Sequence, residues 1–391
     1  MSRREPPLIF VISGEASGDN LAGRLMGALK EQTGGHVRFA GVGGPQSAAQ
    51  GLDSLFPMQE LSVMGITEVL PHLPRILMRL NQTVAAARAL EPDIVVTVDS
   101  PSFTLRVAER LHRTGIPVVH YVAPQLWAWR AGRAKKLGRR VDHIMALLPF
   151  EVDFFATFGI PCTYVGHPAI EAGALSGDGV AFRERHRLSR DGPVLCVVPG
   201  SRHGEVRRML PVYGEVLRRL KENHPDLHVV VPVAPAVADE VEAATKDWPF
   251  PVTLVTNPDE RFDAFAACDA ALAKSGTVTL ELALARVPMV VAYKVNAATA
   301  FLVRRMGVSV SHASLVNLLA NREIVPEFLQ EDCTAEKLAD AVDILLSSQE
   351  VRDAQRQGFR EVLKALGDAT PPPSQRAAKV VLDLMRARAT N

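Results

Sequence analysis

The chain has 391 residues, 47% of them hydrophobic and 22% charged, with a formal net charge of +1. That is the profile of an ordinary folded protein with large cores, and its length favours two domains over one. The near-zero charge excludes a role built on neutralising many nucleic-acid phosphates. No run approaches the roughly 18 apolar residues that a membrane-spanning helix needs.

The opening MSRREPPLIFVISGE is basic and then apolar, but Leu8–Ile12 is too short for a secretory signal and leads directly to Glu15 and Asp19. The four cysteines, Cys162, Cys196, Cys268 and Cys333, show no CxxC spacing, which fits a reducing cytoplasm. Short β-branched runs follow at 8–12, 37–42, 94–99, 118–121, 143–146 and 163–165. A second series runs 194–198, 227–231, 252–255, 270–273 and 289–292. Runs apolar on both faces and separated by helical patterns suit parallel strands with crossover helices. The spacing predicts an α/β protein of two doubly wound, Rossmann-like domains, 1–168 and 169–346, with a ligand cleft between them. Residues 347–391 are expected as C-terminal helices, the last isolated by Pro371–Pro373 and packing on the N-terminal domain or on a partner subunit.

Four strand ends carry polar loops. Ser13-Gly-Glu-Ala-Ser-Gly-Asp19 is Gly-rich without being GxGxxG or a phosphate-binding P-loop. It is either a tight turn with Asp19 capping the following helix or a close approach of backbone to ligand. Asp99-Ser-Pro-Ser-Phe-Thr104 puts a carboxylate at a strand's carboxyl end, as a general base on a sugar hydroxyl or as a helix N-cap. Pro199-Gly-Ser-Arg-His-Gly-Glu205 opens a helix after a strand, a suitable anion site in which Arg202 adds a charged fork. Lys274-Ser-Gly-Thr-Val-Thr-Leu-Glu281 repeats that grammar, with Ser275, Gly276 and Thr277 as phosphate donors and Glu281 toward ribose hydroxyls. No Asp-x-Asp and no HxxxH spacing occurs, so no metal and no cofactor are expected.

Two segments suit a membrane surface. Met64, Ile66, Val69, Leu70, Leu73, Ile76, Leu77 and Leu80 recur at helical spacing, as a core stripe or as an acyl and lipid surface. Trp127-Ala-Trp-Arg-Ala-Gly-Arg-Ala-Lys-Lys-Leu-Gly-Arg-Arg140 sets basic residues directly behind two tryptophans, as a solvated helix or as a contact for anionic headgroups.

Taken together, SGEASGD, MGITEVL, HYVAPQLWAWR, LPFE, VGHP, PGSRHGEV, SGTVTLE, PMVVAYK and SLVNLLANR resemble the lipid A disaccharide synthase family, in order from residue 8 to about 335. The resemblance implies a GT-B glycosyltransferase that is inverting and metal-independent. Its substrates would be UDP-2,3-diacylglucosamine and 2,3-diacylglucosamine 1-phosphate, its product a β-1,6-linked disaccharide with release of UDP. It also implies a peripheral place on the cytoplasmic face of the inner membrane, and a homodimer is open. Asp99 matches the family's essential Asp, Arg202 its PGSR arginine, and Asn317 an Asn near the donor. The nucleotide side then collects Gly200, Ser201, Arg202, Ser275, Gly276, Thr277, Glu281 and Asn317. The acceptor side collects Gly14, Glu15, Ser17, Asp19, Gln125 and Trp127. The family's DAPDFN is DSPSFT here, so Ser102 and Thr104 replace an acid and an Asn, leaving Asp99 the only acid in that loop. The alternative reading is another GT-B enzyme of UDP-N-acetylhexosamine, a transferase or a 2-epimerase.

Overall fold

A computed structural model describes residues 5–61, 66–126, 132, 134–295, 312–367 and 370–389, with 66–72 and 389 as backbone alone. Every apolar run expected as a strand is one, with ends shifted by at most one residue. The first sheet contains β1 (Leu8–Ser13), β2 (Arg38–Val42), β3 (Ile94–Val98), β4 (Val118–Tyr121), β5 (His143–Ala146) and β6 (Cys162–Tyr164). All its pairings are parallel, in the order β2-β1-β3-β4-β5-β6. The second contains β7 (Val194–Val198), β8 (His228–Pro232), β9 (Val252–Val255), β10 (Ala270–Lys274), β11 (Met289–Tyr293) and β12 (Glu327–Leu329). It too is parallel, in the order β12-β11-β10-β7-β8-β9. Strand β12 was not expected, because the half-buried triplet Glu-Phe-Leu has neither the length nor the apolar run of a central strand.

Alternation along each strand divides its side chains between two cores. In the first sheet Phe10, Ile12 and Val95 meet Leu80, Val84 and Ala87 of helix Ile66–Leu90. On the other face Ile9, Val11 and Val96 meet Leu25, Met26 and Leu29 of helix Ala16–Gln32. The second sheet is covered likewise, for example by Val206, Tyr213 and Leu217 of helix His203–Leu220. Each such fully buried side chain contributes roughly 1.5–3 kcal/mol.

The chain forms two compact units, Met1–Pro168 with Asp368–Asn391, and Ala169–Gly367. Helix Gln349–Leu366, expected to leave with the other C-terminal helices, instead puts Phe359, Val362 and Leu366 into the core of the second unit. Only helix Pro373–Ala389 returns to the first unit. There Ala377, Ala378 and Val381 join the core, and Gln32 Nε2 donates to the Gln375 carbonyl at 2.8 Å.

Strand order fixes where ligands bind. In the first sheet the winding reverses between β1 and β3; in the second it reverses between β7 and β10. Such switch points open crevices at the carboxyl ends of the strands. The four loops singled out above lie at those ends, two in each unit.

Candidate functional site

In the first unit the loops after β1 and β3 interlock. A Cβ on Gly14 would lie 2.8 Å from the Ser100 hydroxyl oxygen, and one on Gly18 would lie 3.3 Å from the Val98 carbonyl oxygen. Only glycines let the two loops come this close. Asp99 and Ser100 both adopt left-handed backbone, at φ 50° and 44°. That conformation costs about 1–3 kcal/mol per non-glycine residue and collects at functional sites. Several bonds hold the strained turn. The Asp99 amide donates to the Tyr121 carbonyl at 2.9 Å, and the Thr104 hydroxyl lies 2.6 Å from the Asp99 carbonyl and 3.0 Å from that of Ser100. Thr104 therefore ties the turn down. The Ser17 hydroxyl donates to Asp99 Oδ2 at 3.4 Å, and the carboxylate remains half-exposed.

Asp19 does something else. It lies inside helix Ala16–Gln32, so it is not the cap of that helix, whose N-cap is Glu15. Its buried carboxylate reaches across to helix Pro45–Ala49 and accepts from the amides of Gly44, Gln46 and Ser47 at 2.8, 2.9 and 3.1 Å, and from the Ser47 hydroxyl at 2.5 Å. The expected acceptor contact is corrected here, because those oxygens are engaged with the next helix's N-terminus. Glu15 is half-buried and Ser17 and Gln125 are exposed. Val122, at the end of β4 and three residues before Gln125, has φ 77°, a strained value for a β-branched residue that no sequence pattern announces.

Met64 and Trp127 lie outside the described residues, as do the side chains of Ile66, Val69 and Leu70. The rest of the stripe splits. Leu80 is buried and Ile76 packs against the core, whereas Leu73 and Leu77 are 38% and 41% exposed, beside Met78, which was not part of the expected stripe and is 51% exposed. Arg79 does not face outward freely. Its guanidinium grips the Glu60 carboxylate through two bonds of 2.8 and 2.7 Å and stacks over Phe56. That bidentate bond, ahead of the opposing desolvation, holds the Glu60 carboxyl below its ordinary range. Among the described residues no helix is long and apolar enough to cross a membrane.

In the second unit the loop after β7 turns at Gly200, where φ is 113°. A Cβ there would also lie 2.8 Å from Glu205 Oε2. Ser201 is exposed, and Arg202 is the N-cap residue of helix His203–Leu220 with its side chain 58% exposed. Beneath it Lys274 Nζ, at the end of β10, sits 2.8 Å from Glu205 Oε1 and 5.0 Å from the Tyr293 ring centroid. Burial, and then the Glu205 carboxylate, push the Tyr293 phenol above its ordinary value against the cations Arg202 and Arg208. Gly276 and Thr277 lie at the mouth of the next turn, half-buried and exposed.

Two nucleotide-side expectations are corrected. The Ser275 hydroxyl, read as a phosphate donor, donates instead to the Ala313 carbonyl at 2.7 Å. Asn317, read as a donor-site residue, is fully buried, with all its amide bonds made within the protein. Its Nδ2 donates to the Val325 carbonyl and Glu327 Oε1, both at 2.8 Å, and its Oδ1 accepts from the amides of Ile324 and Val325 at 2.7 and 3.0 Å. Glu327 in turn accepts from the amides of Ala313 and Ser314, so Asn317 shapes the segment behind Ser275. Glu281, its side chain 12% exposed, lies 3.0 Å from Nη2 of Arg261, whose side chain is 40% exposed.

A family model described as lipid-A-disaccharide synthetase matches residues 9–380. A lipid-A-disaccharide synthase of Rhodospirillum centenum is 51% identical over 98% of this chain and 96% of its own. Another, of Paramagnetospirillum magneticum, is 50% identical over 97% and 98%. Among solved structures, an S. aureus MnaA–UDP complex superposes with a TM-score of 0.67 at 14% identity, covering 98% and 97% of the two chains. Acinetobacter baumannii MurG gives 0.54 at 16%, covering 98% and 100%. These likenesses show the GT-B glycosyltransferase fold.

Proposed function

The chain belongs to the lipid-A-disaccharide synthetase family of UDP-sugar-dependent glycosyltransferases, and we propose that it joins UDP-2,3-diacylglucosamine to 2,3-diacylglucosamine 1-phosphate. The supporting observation is the strained Asp99–Ser100 turn, which presents a half-exposed carboxylate at the first sheet's switch point. In the proposed step the Asp99 carboxylate takes the proton of the acceptor's 6-hydroxyl. The freed oxygen attacks the donor's anomeric carbon, and the bond from that carbon to the UDP oxygen breaks, its electron pair leaving with UDP. Displacement from the opposite face inverts the centre and gives the β-1,6 linkage.

The second unit's part is to stabilise the departing diphosphate. Arg202 and the amides of the Gly200 turn supply positive charge where negative charge grows, an effect typically worth several kcal/mol. No step calls for a metal ion, so a chelator leaves turnover unchanged. Helix Ile66–Leu90 supplies an acyl or lipid contact through Leu73, Leu77 and Met78, which suits a peripheral enzyme acting at an anionic membrane face. A 2-epimerase, the rival reading, has fold likeness alone in its favour, at 14% identity for the Methanocaldococcus jannaschii UDP-GlcNAc 2-epimerase.

The test is incubation of the purified chain with the two acylated sugars, followed by mass spectrometry and NMR of the product. UDP and a β-1,6-linked disaccharide 1-phosphate in equal amounts are expected. Epimerised UDP-sugar without disaccharide would contradict the proposal.

A further inference from the structure

Glu205 stands in an unusual place. It lies in the first turn of helix His203–Leu220, beneath the Gly200 turn, and is 9% exposed. A carboxylate there suits the helix dipole but repels any anion bound at the same N-terminus. Lys274 answers it from the neighbouring strand end. Its Nζ is 2.8 Å from Glu205 Oε1, and both side chains are almost buried, at 13% and 12% exposure. Arg202 Nη1 approaches the same oxygen at 3.7 Å. A Cβ on Gly276 would lie 3.7 Å from Lys274 Nζ, so the ammonium sits between the two turns of the second switch point.

We infer that Lys274 is a positioning residue for the UDP diphosphate: its ammonium offsets the Glu205 carboxylate that would otherwise repel an anion at the Gly200 turn. The inference rests on the proposal that the second unit holds the UDP diphosphate. Without Lys274 the Glu205 carboxylate loses its nearest cation directly under the phosphate-binding turn, and charges so close interact strongly in a partly buried setting.

Titration calorimetry with UDP, and with uridine as the phosphate-free control, tests this on Lys274→Met, Glu205→Gln and the double variant. Lys274→Met is expected to lose UDP affinity on the order of tenfold, with uridine unaffected. Glu205→Gln alone is expected to keep UDP affinity or tighten it, and the double variant to recover what Lys274→Met lost. A pair that merely scaffolds the loop gives the opposite pattern: Glu205→Gln loses as much as Lys274→Met, and the double variant recovers nothing. If Lys274→Met fails to fold, the double variant and Glu205→Gln carry the test, since weak UDP binding by both overturns the inference. Normal UDP affinity of Lys274→Met overturns it alone, whereas absence of UDP binding by the unmodified chain overturns the donor-site proposal with it.

Discussion

The Ser17 hydroxyl donates to Asp99 Oδ2 across 3.4 Å, joining the loop after β1 to the loop after β3. The bond is long and Ser17 is exposed, so it steers the carboxylate more than it holds it. Ser17→Ala is therefore expected to change kcat by less than about tenfold and to leave the melting temperature unchanged, since an exposed bond of this kind is worth about 0.5–1.5 kcal/mol at most. Steady-state kinetics and a thermal melt check this. A loss as deep as that of an Asp99 variant would mean that Ser17 itself meets the substrate.

Asp19 and Asn317 are expected to behave as structural residues. Asp19→Ala strands the amide donors of helix Pro45–Ala49 and is expected to cost about 2–4 kcal/mol in a denaturant melt. Asn317→Asp would set a second carboxylate against Glu327 Oε1, where Nδ2 now donates at 2.8 Å, and is expected to cost at least about 3 kcal/mol. Full stability of Asn317→Asp combined with lost UDP affinity would return Asn317 to the donor site.

The apolar stripe makes a split prediction. Ile76→Ser opens the core of the first unit and is expected to cost about 2–4 kcal/mol. Leu73→Ser and Leu77→Ser remove exposed side chains and are expected to leave the melt within about 0.5 kcal/mol. The same two changes are expected to weaken co-sedimentation with anionic vesicles and to raise KM for acylated substrate. Unchanged sedimentation would remove the lipid role from this face.

Acid should unfold the chain through two histidines. Burial lowers His120 and His167 from 6.5 to about 4. Unfolded, each takes up a proton below about 6.5 that the folded protein refuses. Their stabilisation is thus complete above pH 6.5 and is lost as pH falls toward 4, at up to about 1.4 kcal/mol per pH unit for each. His120 bonds Thr97 Oγ1 through Nδ1 at 2.9 Å, so His120→Asn is expected to flatten the slope while lowering stability at pH 7.5. Denaturant melts from pH 7.5 to 4.5 check the sign; a slope unchanged by the substitution would assign it elsewhere.

The fold was largely legible because both sheets are parallel and buried on both faces, so their strands stand out as apolar runs. The loops were legible because Gly, Pro and Asp cluster where those runs stop. Partners distant in sequence were not. Asp19 meets donors 25 to 28 positions away, and Asn317 meets a strand of three residues that carries no apolar signal. Nothing in the letters Asp-Ser-Pro marks Asp99 as left-handed, nor Val122 as strained, since those values come from tertiary packing. Lys274 ends an otherwise small and apolar strand, a signal that becomes readable only once Glu205 is seen beside it.

The central claim is that Asp99 acts on the acceptor and not on the nucleotide. Asp99→Asn keeps the shape of the turn and removes the base, so UDP affinity measured by calorimetry is expected to be unchanged while kcat for disaccharide formation falls about 10²–10⁴-fold. Near-normal turnover of this variant, or a loss of UDP affinity equal to the loss of rate, would contradict the account.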